Sequence, residues 1–307
     1  MSIIRAAPAW FRGRCSVASP DATPPPSAAD RRGGRLSLGL RHLISGPAGA
    51  PCLVLAHAIA TANALWRPQL PALSARFRVI ALDLHGHGQS PVPDGPISIA
   101  SMADDIAALL AEVAPAGAIY AGISTGGMVG QALALRHPGA VRALALCNTT
   151  SRVLPTAPPG EAHRLMIASD RLRTAGRLAM EQGMAAVAGL ALERWFRPGF
   201  RERAPADYDF VRGLILATEP AGYAAVCNAL AEFDLSEAIA AIAVPTLVIA
   251  GAHDRGTPLD CSQAIVQRIR GSRLSVIADG AHICNVEFAS EFTASLCEFL
   301  ETVRTTF

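Results

Sequence analysis

The segment AIYAGISTGGMVGQALALRH, residues 118–137, holds the reading on which the fold turns. A short apolar run, β-prone over 118–122, meets Gly122-Ile123-Ser124-Thr125-Gly126-Gly127 and passes directly into a pattern of helical period. A serine on so sharp a strand-to-helix turn occupies strained backbone, and small residues on either side let the turn close against the sheet. The G-x-S-x-G pattern alone is common; its specificity comes from standing between a strand and a helix. Ser124 is the candidate nucleophile.

Working outward, short apolar runs alternate with helical stretches. Strands are expected at 35–43, 52–58, 77–84, 118–122, 141–148, 246–254 and 273–280, and helices at 98–113, 126–137, 259–270 and 286–303. This alternation predicts an α/β fold, a mostly parallel central sheet flanked by helices, and the near-continuous hydrophobicity of several strands fits burial on both faces. Between 148 and 246 no strand pattern appears. Helical segments there, interrupted at Pro155, Pro158, Pro159, Pro198, Pro205 and Pro220, predict a helical cap inserted late in the sheet. The expected organisation is an α/β core from 35–150 and 242–307, a helical cap at 151–241, and a disordered tail at 1–34.

A serine hydroxyl is a weak nucleophile at neutral pH and needs a base, which in turn needs a third group to hold its tautomer. Downstream of Ser124, Asp254 ends the strand TLVIAGAHD and His282 follows RLSVIADG, giving the order Ser, Asp, His known for this architecture. Asp260 competes with Asp254 but reads as the N-cap of a helix. Among the other histidines, His42, His137 and His163 read as structural, His57, His85 and His87 as residues that knit loops together, and His253 as pointing elsewhere. An oxyanion needs two backbone N–H donors, one after the nucleophile and one from the loop after an earlier strand, which assigns Thr125 and Ile59. Ala58 stands there where glycine is common.

Other chemistries find little support. Asp83, His85 and His87 are conceivable metal ligands, but Gly86 and Gly88 make a tight loop the simpler reading, so no metal is expected. No glycine-rich dinucleotide fingerprint follows the first strand, and no cofactor is implied. All 27 basic residues are Arg, scattered, and the formal charge is +2, which argues against nucleic acid as a partner. The seven cysteines lack CxxC spacing and several lie in apolar runs, as free thiols in a reducing compartment would. No run reaches the roughly 18 apolar residues of a membrane span, so a cytoplasmic protein without membrane partners is expected. Arg5, Arg12 and Arg14 without an acidic neighbour give the first 20 residues a transit-like composition. The oligomeric state stays open, a homo-oligomer being compatible.

Five stretches, LVLAHAIATANALWRPQLPALSARFRVIALDLHGHGQS (53–90), AGISTGGMVGQALALRHP (121–138), ALERWFRPGF (191–200), ATEPAGYAAVCNALAEFDL (217–235) and PTLVIAGAHDRGTP (245–258), resemble the 3-oxoadipate enol-lactonases of aromatic-acid catabolism. The likeness runs from about 35 to 303. It implies an α/β-hydrolase fold, a small carboxylate-bearing enol-lactone as substrate, and a triad of Ser124, Asp254 and His282. It also implies Trp195 as a pocket wall. An anionic substrate calls for a cation, and Arg152, Arg164 or Arg171 near the cap entrance is expected to supply it, with Arg152 as the candidate. Two departures leave the exact lactone or ester open: the segment 152–165 lacks an expected tryptophan, and Thr125 stands where methionine is usual. A C–C bond hydrolase of ring-cleavage products, a general carboxylesterase and, in another class, a non-catalytic small-molecule receptor are the alternatives.

Overall fold

A computed structural model of the chain describes residues 39–92, 94–154 and 168–304. The expected tail at 1–34 lies outside them, as do His163 and Arg164.

Seven strands, β1 (His42–Ser45), β2 (Cys52–Ala56), β3 (Arg78–Leu82), β4 (Ala118–Ile123), β5 (Val141–Cys147), β6 (Thr246–Gly251) and β7 (Arg273–Ile277), form one sheet in the order β1-β3-β2-β4-β5-β6-β7. Only β1 runs antiparallel to its neighbour; the other pairings are parallel. The central strands β4 and β6 are buried along their whole length, which explains why they read as continuous apolar runs, whereas the edge strand β7 is half exposed. Among the described residues the first strand begins at His42; of the expected stretch 35–43, residues 35–38 lie outside the described residues. Gly39 has φ +77°, which interrupts extended backbone, and pairing with β3 starts only beyond it.

Core helices α1 (Leu70–Ser74), α2 (Ile99–Val113), α3 (Thr125–Arg136), α9 (Leu259–Arg268), α10 (Cys284–Glu287) and α11 (Ala289–Arg304) flank the sheet. A reciprocal Ser98–Ser101 capping box starts α2, and Met102, Ile106, Leu109 and Leu110 form its buried stripe. Because β3 lies on one side of β2 and β4 on the other, the sheet reverses direction there. The C-terminal ends of β2 and β4 therefore open the crevice where ligands settle in such sheets.

Between β5 and β6 the chain builds the cap: α4 (Ser169–Gln182), α5 (Met184–Trp195), α6 (Phe200–Arg203), α7 (Pro205–Leu216) and α8 (Pro220–Ala231). Pro205 and Pro220 occupy the first turns of α7 and α8, so they start helices, as their fixed φ allows. The cap leaves and rejoins the core through a two-stranded neck: Val153 N–H donates to Phe233 O (2.8 Å) and Leu235 N–H to Ser151 O (2.8 Å). A second joint is a backbone-on-backbone contact, where a Cβ on Gly86 would come within 2.4 Å of Gly222 Cα in α8, and one on Gly222 within 2.2 Å of Gly86 O. Among the described residues no single helix is long and apolar enough to cross a membrane.

Candidate active site

Ser124 stands at the C-terminal end of β4, directly before α3, with φ +52° and ψ −113°, a region L-residues occupy only when their surroundings force it. Those surroundings are visible. Ser124 N–H donates to Cys147 O (2.9 Å), Thr149 Oγ1 donates to Ser124 O (2.7 Å), and the buried Tyr120 hydroxyl donates to Gly126 O (2.9 Å). The glycines flanking the turn are sterically required: a Cβ on Gly122 would lie 2.3 Å from Gly126 C, and one on Gly126 2.4 Å from Ala56 O.

The loops after β6 and β7 bring Asp254 and His282 to the serine. His282 Nε2 lies 3.0 Å from Ser124 Oγ, and His282 Nδ1 lies 2.8 Å and 3.0 Å from the two Asp254 oxygens. Asp254 also accepts from Gly256 N–H (2.7 Å), Thr257 N–H (2.9 Å), Thr257 Oγ1 (2.9 Å) and Asn148 Nδ2 (3.0 Å). Burial alone would raise this carboxyl. The neighbouring His282 and the donors from Asn148 and Thr257 outweigh it and hold Asp254 below the usual carboxylate range. An ionised Asp254 accepts a hydrogen bond from Nδ1–H of His282, so Nε2 offers a lone pair to the serine hydroxyl.

Sequence reasoning missed Asn148. It directly follows β5 with φ +45°, a conformation asparagine tolerates better than most residues, and its amide donates to Asp254 Oδ2 and to Ala281 O (3.1 Å) while Cys284 Sγ donates to its Oδ1 (2.9 Å). One side chain thus joins the acid loop to the base loop. The signal was an asparagine closing a buried strand, where a polar side chain needs a reason.

On the opposite side, Gly126 N–H donates to His57 O (3.1 Å), tying the loop after β2 to the start of α3. His57 Nε2 accepts from Leu84 N–H (2.9 Å) and its Nδ1 donates to Ala58 O (2.7 Å); His87 Nε2 accepts from Ala60 N–H (2.9 Å) and its Nδ1 donates to His85 O (2.8 Å). Each ring is fixed as one neutral tautomer. Burial is the main cause that pushes His57 down to about 4 and His87 to about 3. These histidines knit loops, as expected from their positions. Ile59 N–H makes no backbone hydrogen bond among the described residues, and Ala58 is fully buried without a positive φ, which falls instead at Ala60 (φ +58°). Thr125 is fully buried at the first turn of α3.

A cavity joins Ser124, His282, Ile59 and Gly256 from the core to Trp195 and Arg194 from the cap. Trp195 is 1% exposed, and its ring lies 6.2 Å from that of His282. Its carbonyl accepts from Ile283 N–H (3.1 Å), so the wall residue is pinned beside the base.

The sequence profile of the α/β hydrolase fold family matches residues 51–289. The chain belongs to the α/β-hydrolase fold family. It is similar to 3-oxoadipate enol-lactonase 2 of Acinetobacter baylyi, 32% identical over 255 residues, covering 83% of this chain and 90% of that one. It is also similar to the putative carbamate hydrolase RutD of Variovorax paradoxus, 31% identical with 86% and 97% covered. Among solved structures, the enol-lactonase from Burkholderia xenovorans LB400 superposes with a TM-score of 0.78 at 34% identity, covering 85% of this chain and 96% of that one. As an enzyme, the chain is a hydrolase.

In this α/β hydrolase not every expected residue meets the cavity. Arg152 is exposed in the neck, where its backbone pairs antiparallel with that of Asp234, and it lines a separate surface cleft with Glu237 and Cys261. Its nearness to the cap in sequence does not bring it to Ser124, because the neck strand turns its side chain away from the crevice. Asp260 lies inside the first turn of α9, whose N-cap is Pro258, so its capping role is corrected too. His253 is exposed, and Asp83 is engaged with Asn63 N–H (2.7 Å) and Gln89 N–H (3.0 Å). Among the described residues no group of three or more His, Cys, Asp or Glu is placed to hold a metal ion.

Proposed function

We propose that the chain is a serine hydrolase that opens a small carboxylate-bearing lactone or ester, of the 3-oxoadipate enol-lactone kind, through an acyl-enzyme. The observation that carries this reading is the unbroken hydrogen-bond path from Asp254 through His282 to the strained Ser124, ending in a cavity under the cap. Ser124 Oγ attacks the carbonyl carbon as His282 Nε2 takes its proton, and Asp254 stabilises the imidazolium. The N–H groups of Ile59 and Thr125 meet the oxyanion, the arrangement in which one donor is worth about 10² to 10³ in rate. His282 then returns the proton to the leaving oxygen, which in a lactone stays tethered as the enol. Water, deprotonated by His282, resolves the acyl-enzyme. Trp195 forms the wall beside the base.

The division into a core of 35–150 with 242–307 and a cap of 151–241 belongs to the same reading, as does a cytoplasmic setting, which suits the free thiols at Cys52, Cys147, Cys227, Cys261, Cys284 and Cys297. The likeness to the putative carbamate hydrolase favours one second reading, attack of the same serine on a carbamate carbonyl.

Turnover of 3-oxoadipate enol-lactone by the wild type and by Ser124→Ala, followed by loss of the enol-lactone absorbance, tests the proposal. Rapid hydrolysis that falls by about 10⁴ or more in the variant is expected. Full activity in Ser124→Ala would remove the mechanism; hydrolysis of a carbamate or a simple aryl ester without turnover of the lactone would remove the substrate.

A further inference from the structure

We infer that Arg194, on the last turn of α5, is the group that recognises the substrate carboxylate, and that the cleft between α4, α5 and α8 on its far side is the route to Ser124. The inference rests on the carboxylate-bearing substrate proposed above and adds the residue that reads it. Arg194 lines the cavity that contains Ser124 and His282, and it also lines an outer cleft bounded by Leu178, Val187 and Leu190. Arg171, Ala175 and Tyr223 belong to both spaces, so the inner cavity and the outer cleft meet at one ring of four side chains. Leu190, 57% exposed, gives the mouth an apolar lip, and Asp170 stands at its rim with its carboxylate held by Arg171 N–H (2.8 Å).

Arg194 differs from the other arginines that face a carboxylate. Arg67, Arg76, Arg136, Arg173, Arg197, Arg203, Arg268 and Arg304 each form an ion pair, whereas Arg194 forms none among the described residues, and its Nε is buried without a hydrogen-bond partner. Burial works against its charge, and the electrostatic pull of Tyr223, Asp254 and Cys227 only partly offsets this. Asp254 itself is already saturated by His282 and its own loop. A half-buried guanidinium whose Nε is buried without a partner, and which has no counter-ion among the described residues, costs the fold stability, and it becomes favourable when a ligand brings an anion to its planar fork. A substrate carboxylate entering through the cleft supplies that anion, and its carbonyl end then lies ahead, toward the serine.

The test compares two 4-nitrophenyl esters of equal chain length, the neutral hexanoate and the monoester of adipic acid, whose acyl-enzyme ends in a carboxylate. In the wild type, kcat/KM favours the anionic ester. In Arg194→Met the ratio of kcat/KM for anionic over neutral ester falls on the order of 10²-fold, mainly through KM, and Arg194→Lys recovers part of it. The Met variant melts at or above the wild-type temperature, since it removes an uncompensated charge. A wild type without preference for the anionic ester, an unchanged ratio in Arg194→Met, or a lowered melting temperature in that variant overturns the assignment. Ala175→Trp, which plugs the junction, lowers kcat/KM for both esters at least tenfold; undiminished rates place the route elsewhere. Failure of the wild type on the enol-lactone with the ester ratio intact would remove the proposed lactone and leave the role of Arg194 standing.

Discussion

The floor of the cavity and its roof are built differently. On the floor, Asp254 takes four donors besides His282, and Asn148 uses both its amide nitrogen and its oxygen. In the roof, Arg194 Nε and Trp195 Nε1 are buried with no partner among the described residues. Buried polar groups are normally satisfied, so an acid saturated with donors beneath two unpartnered cap donors marks a contact network completed by folding under a surface completed by its ligand, although Thr125 Oγ1 on the floor is also buried without a partner among the described residues.

Damage to the floor has the largest consequences. Asp254→Asn keeps the shape but offers an amide to His282 Nδ1 and favours the wrong tautomer; kcat falls by about 10⁴ with little change in KM, read from steady-state kinetics. A loss confined to KM would mean that the acid binds substrate instead. Next is Asn148→Ala, which strips a donor from Asp254 and Ala281 and leaves alanine at φ +45°. We expect kcat to fall 10- to 100-fold and urea unfolding to register about 2–3 kcal/mol of lost stability; an unaltered kcat would reduce Asn148 to a structural bridge.

Acid attacks the floor by another path. His57 and His87 are held neutral, at about 4 and about 3, below the ordinary histidine value of 6.5. The stability they confer is complete above that value and drains away as pH falls toward their folded values, because the unfolded chain takes up protons first. Between pH 6.5 and 5 each histidine accounts for about 2 kcal/mol, with Asp83 and Glu287, both raised chiefly by burial, offsetting part. Urea midpoints that stay flat from pH 7 to 5 would show that the two rings are not neutral pins. The smallest effect belongs to Arg152→Ala: exposed in the neck, it changes kcat/KM less than threefold and stability by about 0.5 kcal/mol or less. A tenfold rise in KM would return it to the site.

Sequence legibility followed the same division. The elbow and Asp254 could be read because each follows a strand buried along its whole length, and His282 because it follows the β-prone run of the edge strand β7, position along a strand being set by local patterning. Ala58 fits without a glycine because the left-handed residue of that loop is Ala60. The described start of the first strand, at His42, follows Gly39, whose positive φ the apolar pattern around it did not reveal. In the cap, helices were legible, but which face meets the cavity depends on how they dock. Arg152 stands near the cap in sequence yet lies in the neck, while Arg194, hidden in an ordinary amphipathic repeat, reaches the cavity because α5 ends beside His282.

The meeting of Gly86 and Gly222 sets a rule for anyone exchanging this cap for another. The loop that receives α8 at Gly86 also carries His87, which grips Ala60 beside Ile59. A graft that brings a side chain to position 222 would wedge that loop outward and loosen the loop of Ile59 and Ala60 that His87 holds, so a new roof chosen only for its substrate contacts would arrive with a misaligned hearth beneath it.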